Sequence, residues 1–131
     1  MAKVLVVDDE PAWLDLARHK LTALGHEVQT VDDCREVLSL LKGQRPDLVV
    51  LDLRMPINGR TMLHALQEDW PSIPVVLHTV YGACRDDRDL KTVAAFATKD
   101  PELNELQTAV GRVLAGGEHG RNSDGEQDPG S

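Results

Sequence analysis

Aromatic side chains are scarce in this chain: one Phe, one Tyr and two Trp among 131 residues. That leaves no stacking platform for single-stranded nucleic acid. Basic residues are in deficit, 14 Lys and Arg against 22 Asp and Glu, for a formal net charge of −8. Direct nucleic-acid binding needs a basic footprint, so the charge balance argues against it. The two cysteines, Cys34 and Cys84, fit neither a metal spacing nor a redox pair and read as reduced thiols. No apolar run approaches the ~20 residues that a membrane span requires. The first residues lead straight into an apolar run without the charged-then-apolar pattern of a secretion signal, so a cytoplasmic location and no membrane contact are expected.

What the chain does have is a set of short apolar runs, each ending in a polar group. Val4 to Val7 ends in Asp8 and Asp9, Leu48 to Leu51 in Asp52, Val75 to His78 in Thr79, and Ala94 to Thr98 in Lys99. Runs of this length with helical patterns between them read as buried parallel strands. Pattern alone gives an α/β class and no strand order. In an open α/β sheet, ligands bind beyond the carboxyl ends of the strands, so the five polar groups are expected to converge on one edge. Three carboxylates, a hydroxyl and an amine in one place fit a divalent cation and a phosphoryl group.

Helices alternate with the strands. The first follows Pro11 and buries Leu14, Ala17, Leu21 and Leu24 before Gly25 stops it. His26 to Val31 forms a second strand. Asp33 caps the next helix, with Glu36 placed as in a capping box, Val37, Leu40 and Leu41 inward and Gly43 at the end. A third helix covers Gly59 to Glu68 and buries Met62, Leu63 and Leu66. A short fourth helix is expected in the charged segment Ala83 to Val93. Asp100-Pro101 starts the last helix, with Leu103, Leu106, Val110 and Val113 as its stripe. Residues 1–115 read as one domain. The segment 116–131 holds five glycines and no aliphatic residue, with four acids against one arginine; it is expected to be a disordered acidic tail.

LVVDDE, LVVLDLRMP, VVLHT and FATK, in that order over roughly residues 3 to 115, resemble a response-regulator receiver domain. The resemblance implies a doubly wound, flavodoxin-like (βα)5 fold with a parallel five-stranded sheet in the order 2-1-3-4-5. It implies that Asp52 is the phosphoacceptor, forming an acyl phosphate. Asp9, Asp52 and the backbone carbonyl of Arg54 would bind Mg²⁺ directly, and Asp8 through a metal-bound water. Lys99 would balance phosphoryl charge, and Thr79 would donate a hydrogen bond to a phosphoryl oxygen and form a switch with Phe96. The implied partners are a histidine kinase or phosphotransfer protein and an unknown downstream protein. A homodimer through helix four, strand five and helix five is a further implication. The protein would signal through protein contacts, not act as an enzyme on another substrate.

Three positions depart from the receiver pattern. A small residue usually follows the threonine; here it is Val80, with Tyr81 beyond it, and both would restrict access to the site. Proline usually follows the lysine directly; here Asp100 intervenes. The stretch from Thr79 to Lys99 is slightly short. One alternative is therefore a receiver-like interaction module that works without phosphate, another a receiver cut from a longer regulator. A haloacid-dehalogenase-type phosphatase is disfavoured because Arg54 stands where that class places its second acid. A flavodoxin is disfavoured because Asp8, Asp9 and Glu10 would repel the phosphate.

Overall fold

The computed structural model describes residues 2–53, 59–80 and 93–119. The elements run β1 (Lys3–Val7), α1 (Pro11–Ala23), β2 (Glu27–Val31), α2 (Cys34–Gly43), β3 (Leu48–Leu51), α3 (Gly59–Asp69), β4 (Val75–Thr79), β5 (Ala95–Thr98) and α4 (Asn104–His119). All five strands pair in parallel in the order β2-β1-β3-β4-β5. The expected fold class and strand order are therefore those observed.

The apolar strands are continuous because helices cover both faces of the sheet. Alternate residues divide between the two sides. Leu5, Val7, Val49, Leu51, Val75 and Leu77 pack against Val37 and Leu41 of α2 and against Met62, Leu63 and Leu66 of α3. Val4, Val6, Leu48, Val50, Val76 and Ala97 pack against Leu14, Ala17 and Leu21 of α1 and against Leu106, Ala109 and Val110 of α4. A one-residue slip of any central strand would exchange these two sets, so register is strongly specified. No helix among the described residues is long and apolar enough to cross a membrane.

Local chemistry sets the helix ends. Gly25 has φ +96°, and the N–H groups of His26 and Gly25 donate to the carbonyls of Leu21 and Thr22. This is a helix end closed by a left-handed glycine. It turns Leu24 outward, 50% exposed, where the apolar spacing had placed it inside. Asp33 caps α2 as expected, but its carboxylate accepts from the Arg35 backbone N–H and pairs with the Arg35 guanidinium, not through a box with Glu36. That guanidinium holds the Asp33 carboxyl below its ordinary range.

The last helix begins at Asn104, not at Asp100-Pro101. The Asp100 carboxylate accepts the N–H groups of Glu102 and Asn104, and its carbonyl accepts that of Leu103. Leu103 is fully buried at φ +55°, a left-handed conformation that bulky residues rarely adopt. Burying Leu103 beneath the sheet thus imposes a turn before the helix starts. Helix α4 continues through Gly116 to His119, the first residues of the expected tail. The rest of the tail, the expected fourth helix with most of its dimer face, Arg54, Tyr81 and Cys84 lie outside the described residues.

Candidate functional site

The strand order reverses direction at β1 and β3, which lie side by side. After β1 the chain leaves for α1 on one face; after β3 it leads to α3 on the other. A crevice must open between their carboxyl ends, and this is where doubly wound folds bind ligands. Asp8 and Asp9 stand at one wall and Asp52 at the other. The backbone fixes both walls: Asp8 N–H donates to the Val31 carbonyl and Asp52 N–H to the Val7 carbonyl, extending the ladders past the last strand residues.

One carboxylate oxygen from each of Asp8, Asp9 and Asp52 lies within 4.8 Å of the other two. Asp8 and Asp52 are buried, at 2% and 4% exposure. Asp9 is the most open of the three. Lys99 reaches in from the end of β5. Its Nζ lies 2.7 Å from Asp8 Oδ2 and 2.9 Å from Asp52 Oδ2, with Glu10 Oε1 farther off at 3.8 Å. The lysine side chain is only 3% exposed. Its approach is set by parallel pairing, in which Lys99 N–H donates to the Thr79 carbonyl at 2.7 Å.

Electrostatics follows from burial and pairing. Burial pushes the Asp8 carboxyl above its ordinary range, partly offset by its hydrogen bonds from Lys99 and the Glu10 N–H. Burial works to lower the Lys99 pKa, but the hydrogen bonds to Asp8 and Asp52 outweigh it, and the ammonium is held in its charged form. One ammonium balances one of three carboxylates. The remaining negative charge, the hard oxygen donors and the open side at Asp9 fit a divalent cation of the Mg²⁺ kind.

Thr79, at 5% exposure, stands at the end of β4 on the same edge. Its Oγ1 is buried without a hydrogen-bond partner among the described residues. A buried hydroxyl is ordinarily satisfied, so this one is available to a ligand oxygen. Val80 follows at the rim, 39% exposed. Phe96 is partly buried on the α2/α3 side and pairs across the sheet with Leu77. The structure thus brings Asp8, Asp9, Asp52, Thr79 and Lys99 to one edge.

Three neighbours join them: from the sequence Glu10 is only a further acid of the loop, His78 reads as structural and Trp13 as a surface or packing residue. Glu10 approaches Lys99 from the loop before α1. Trp13, in the first turn of α1, places its ring centroid 5.0 Å from Lys99 Nζ. His78 meets the same ring edge to face, 5.8 Å between centroids at 89°. The only sequence signal was position: Trp13 lies two residues after the proline that opens the helix next to the acidic loop.

A parallel sheet in the order 2-1-3-4-5, with an acidic cluster and a buried lysine at its switch point, defines a doubly wound α/β domain with an ionic site on its carboxyl edge. The response regulator receiver domain model matches residues 4–111, and the chain belongs to that family, the receivers of two-component signalling. It is 33% identical over 116 residues to the transcriptional regulatory protein GlrR of Escherichia coli (strain K12), covering 86% of this chain and 26% of that protein. The chain thus spans about a quarter of the length of that curated relative. It is also similar to the response regulator TrrA from Thermotoga maritima, solved in complex with Mg²⁺-BeF, at 29% identity and a TM-score of 0.80, covering 86% of this chain and 99% of that one. The complex of TrrA with the histidine kinase ThkA matches at 30% identity and a TM-score of 0.79, covering 87% and 99%.

Proposed function

We propose that this receiver accepts a phosphoryl group on Asp52, in a reaction that needs Mg²⁺ held by Asp8, Asp9 and Asp52. The observation that carries the reading is the buried Asp52 carboxylate, 2.9 Å from Lys99 Nζ and grouped with two further acids. An Asp52 oxygen attacks the phosphorus of the donor, the bond to the donor's nitrogen or oxygen breaks, and an acyl phosphate remains. Lys99 stays charged throughout and follows the phosphoryl oxygens as they arrive. Mg²⁺, when bound, supplies positive charge against the phosphoryl oxygens in transfer. Asp9, Asp52 and the backbone carbonyl of Arg54 are the protein oxygens proposed to bind it directly, with Asp8 acting through a metal-bound water. The donor is a histidine kinase or phosphotransfer protein, a reading supported by the similarity to TrrA, which was solved in complex with the histidine kinase ThkA. Incubation with acetyl phosphate and Mg²⁺, followed by intact mass, tests the reading: one added phosphoryl group is expected, and none would sink it.

Thr79 and Phe96 form the proposed switch. The unpartnered Thr79 hydroxyl donates to a phosphoryl oxygen, and β4 carries that shift across to Phe96 on β5. Thr79→Ala is expected to accept the phosphoryl group yet lose the NMR shift changes around Phe96 that the wild-type protein shows. Wild-type shifts that stay put on phosphorylation would favour the phosphate-independent interaction module instead.

Val80 sets the rate of both steps. Its β-branched side chain stands at the rim beside Thr79, on the route of the phosphodonor and of the water that hydrolyses the acyl phosphate. Small losses of approach geometry carry large rate penalties. Val80→Ala is expected to accelerate phosphorylation by small donors and the later hydrolysis, each by several-fold, with Mg²⁺ affinity unchanged. Equal rates in the variant would move the restriction to the Lys99-Asp100-Pro101 loop.

A further inference from the structure

Strand alternation puts His78 on the α1/α4 side of the sheet, the side on which α1 presents Trp13. The indole lies between two groups. Its ring centroid is 5.0 Å from the Lys99 ammonium, within cation–π range, and the imidazole of His78 meets it at 89°. His78 is 2% exposed, and its Nε2 has no hydrogen-bond partner among the described residues. It is packed as an aromatic body against the indole. Burial first, and then the nearby Lys99 charge, depress its pKa to about 4, so it adds no second cation beside Lys99 near neutral pH.

Among the described residues, the remaining contacts of the ammonium are all carboxylates: Asp8, Asp52 and, more distantly, Glu10. One of these is consumed when Asp52 becomes an acyl phosphate. Asp8 would then be shared with the metal. The indole face, by contrast, carries no charge to lose and keeps its character through the whole cycle. We propose that Trp13, braced by His78, is a positioning residue that holds the Lys99 ammonium over Asp52 before and during phosphoryl transfer. The proposal rests on the reading of Asp52 as phosphoacceptor.

Two measurements test it separately. The first is the rate of phosphorylation by phosphoramidate with Mg²⁺ in Trp13→Phe and Trp13→Leu, each made also in a Lys99→Met background. Trp13→Leu is expected to be slower by about tenfold, the size of a partly desolvated cation–π contact, and Trp13→Phe to keep most of the rate. In the Lys99→Met background the two should be equally fast. Phe as slow as Leu, or a Leu defect that persists undiminished without Lys99, would show mere packing and overturn the proposal. The second needs no phosphorylation. In a Trp70→Phe protein, Trp13 is the sole tryptophan. Its emission maximum in the metal-free protein should shift when Lys99 becomes Met, with the fold verified by circular dichroism. An unmoved spectrum rejects the contact. If the wild-type protein takes up no phosphoryl group, the phosphoacceptor reading fails while the emission measurement still decides the indole–ammonium contact.

Discussion

Asp52→Ala is expected to take up no phosphoryl group from acetyl phosphate and Mg²⁺ under conditions that add one to the wild-type protein. The effect should be complete, not partial. In the proposed reaction the carboxylate is itself the nucleophile, and no other carboxylate of the cluster has the same setting. Asp8 is tied at one oxygen by the Glu10 N–H and at the other by Lys99. Asp9 is open but has no contact with Lys99 among the described residues, so charge developing on its phosphoryl oxygens would lack the ammonium. Intact mass spectrometry decides the matter. Modification of Asp52→Ala at the wild-type rate would put the acceptor elsewhere. The same substitution should leave the fold intact, because Asp52 stands past the last residue of β3 and its N–H bond to Val7 does not involve the side chain.

The site was more legible than the turns around it, for a physical reason. Strands buried on both faces must be continuously apolar, so the steps from Val7 to Asp8 and from Leu51 to Asp52 mark abrupt ends legible in the hydrophobic pattern. Parallel strands all point the same way, so those ends share one edge. The pairing of Lys99 with Asp8 and Asp52 then follows from reach and charge. Leu24 was misplaced because helical periodicity continues on paper through the residue where the Gly25 turn swings the chain outward. The start of the last helix was misplaced because Pro101 is an ordinary first-turn residue, while the burial of Leu103 at positive φ is a tertiary demand with no local signature. From the sequence Trp13 reads only as a surface or packing residue, because a tryptophan in a first helical turn gives no sign of which cation its face will meet.

Lys99→Met should produce the largest loss of stability of any single change at the site, together with a phosphorylation rate lower by about a hundredfold. The lysine side chain is 3% exposed and bridges two carboxylates. Removing it leaves both buried and facing each other without a counter-ion, and breaking a buried pair from one side costs about 3 kcal/mol or more. Replacing all partners at once would avoid that cost; replacing one does not. Burial already raises the Asp8 carboxyl, and loss of the ammonium must raise it further. A carboxyl whose folded pKa exceeds its unfolded value contributes stability below the unfolded pKa and loses it as pH rises through the folded one. The deficit of the variant relative to wild type should therefore be largest at neutral and higher pH and shrink on acidification. Mg²⁺ should repair it as well, because a cation that binds only the folded cluster stabilises by mass action, and it no longer competes with the ammonium for Asp8 and Asp52. Urea unfolding at two pH values, with and without millimolar Mg²⁺, measures each part. A variant as stable as wild type at neutral pH without metal would mean that the carboxylates escape into solvent when unpaired. The buried ion cluster would then not be what Lys99 holds together.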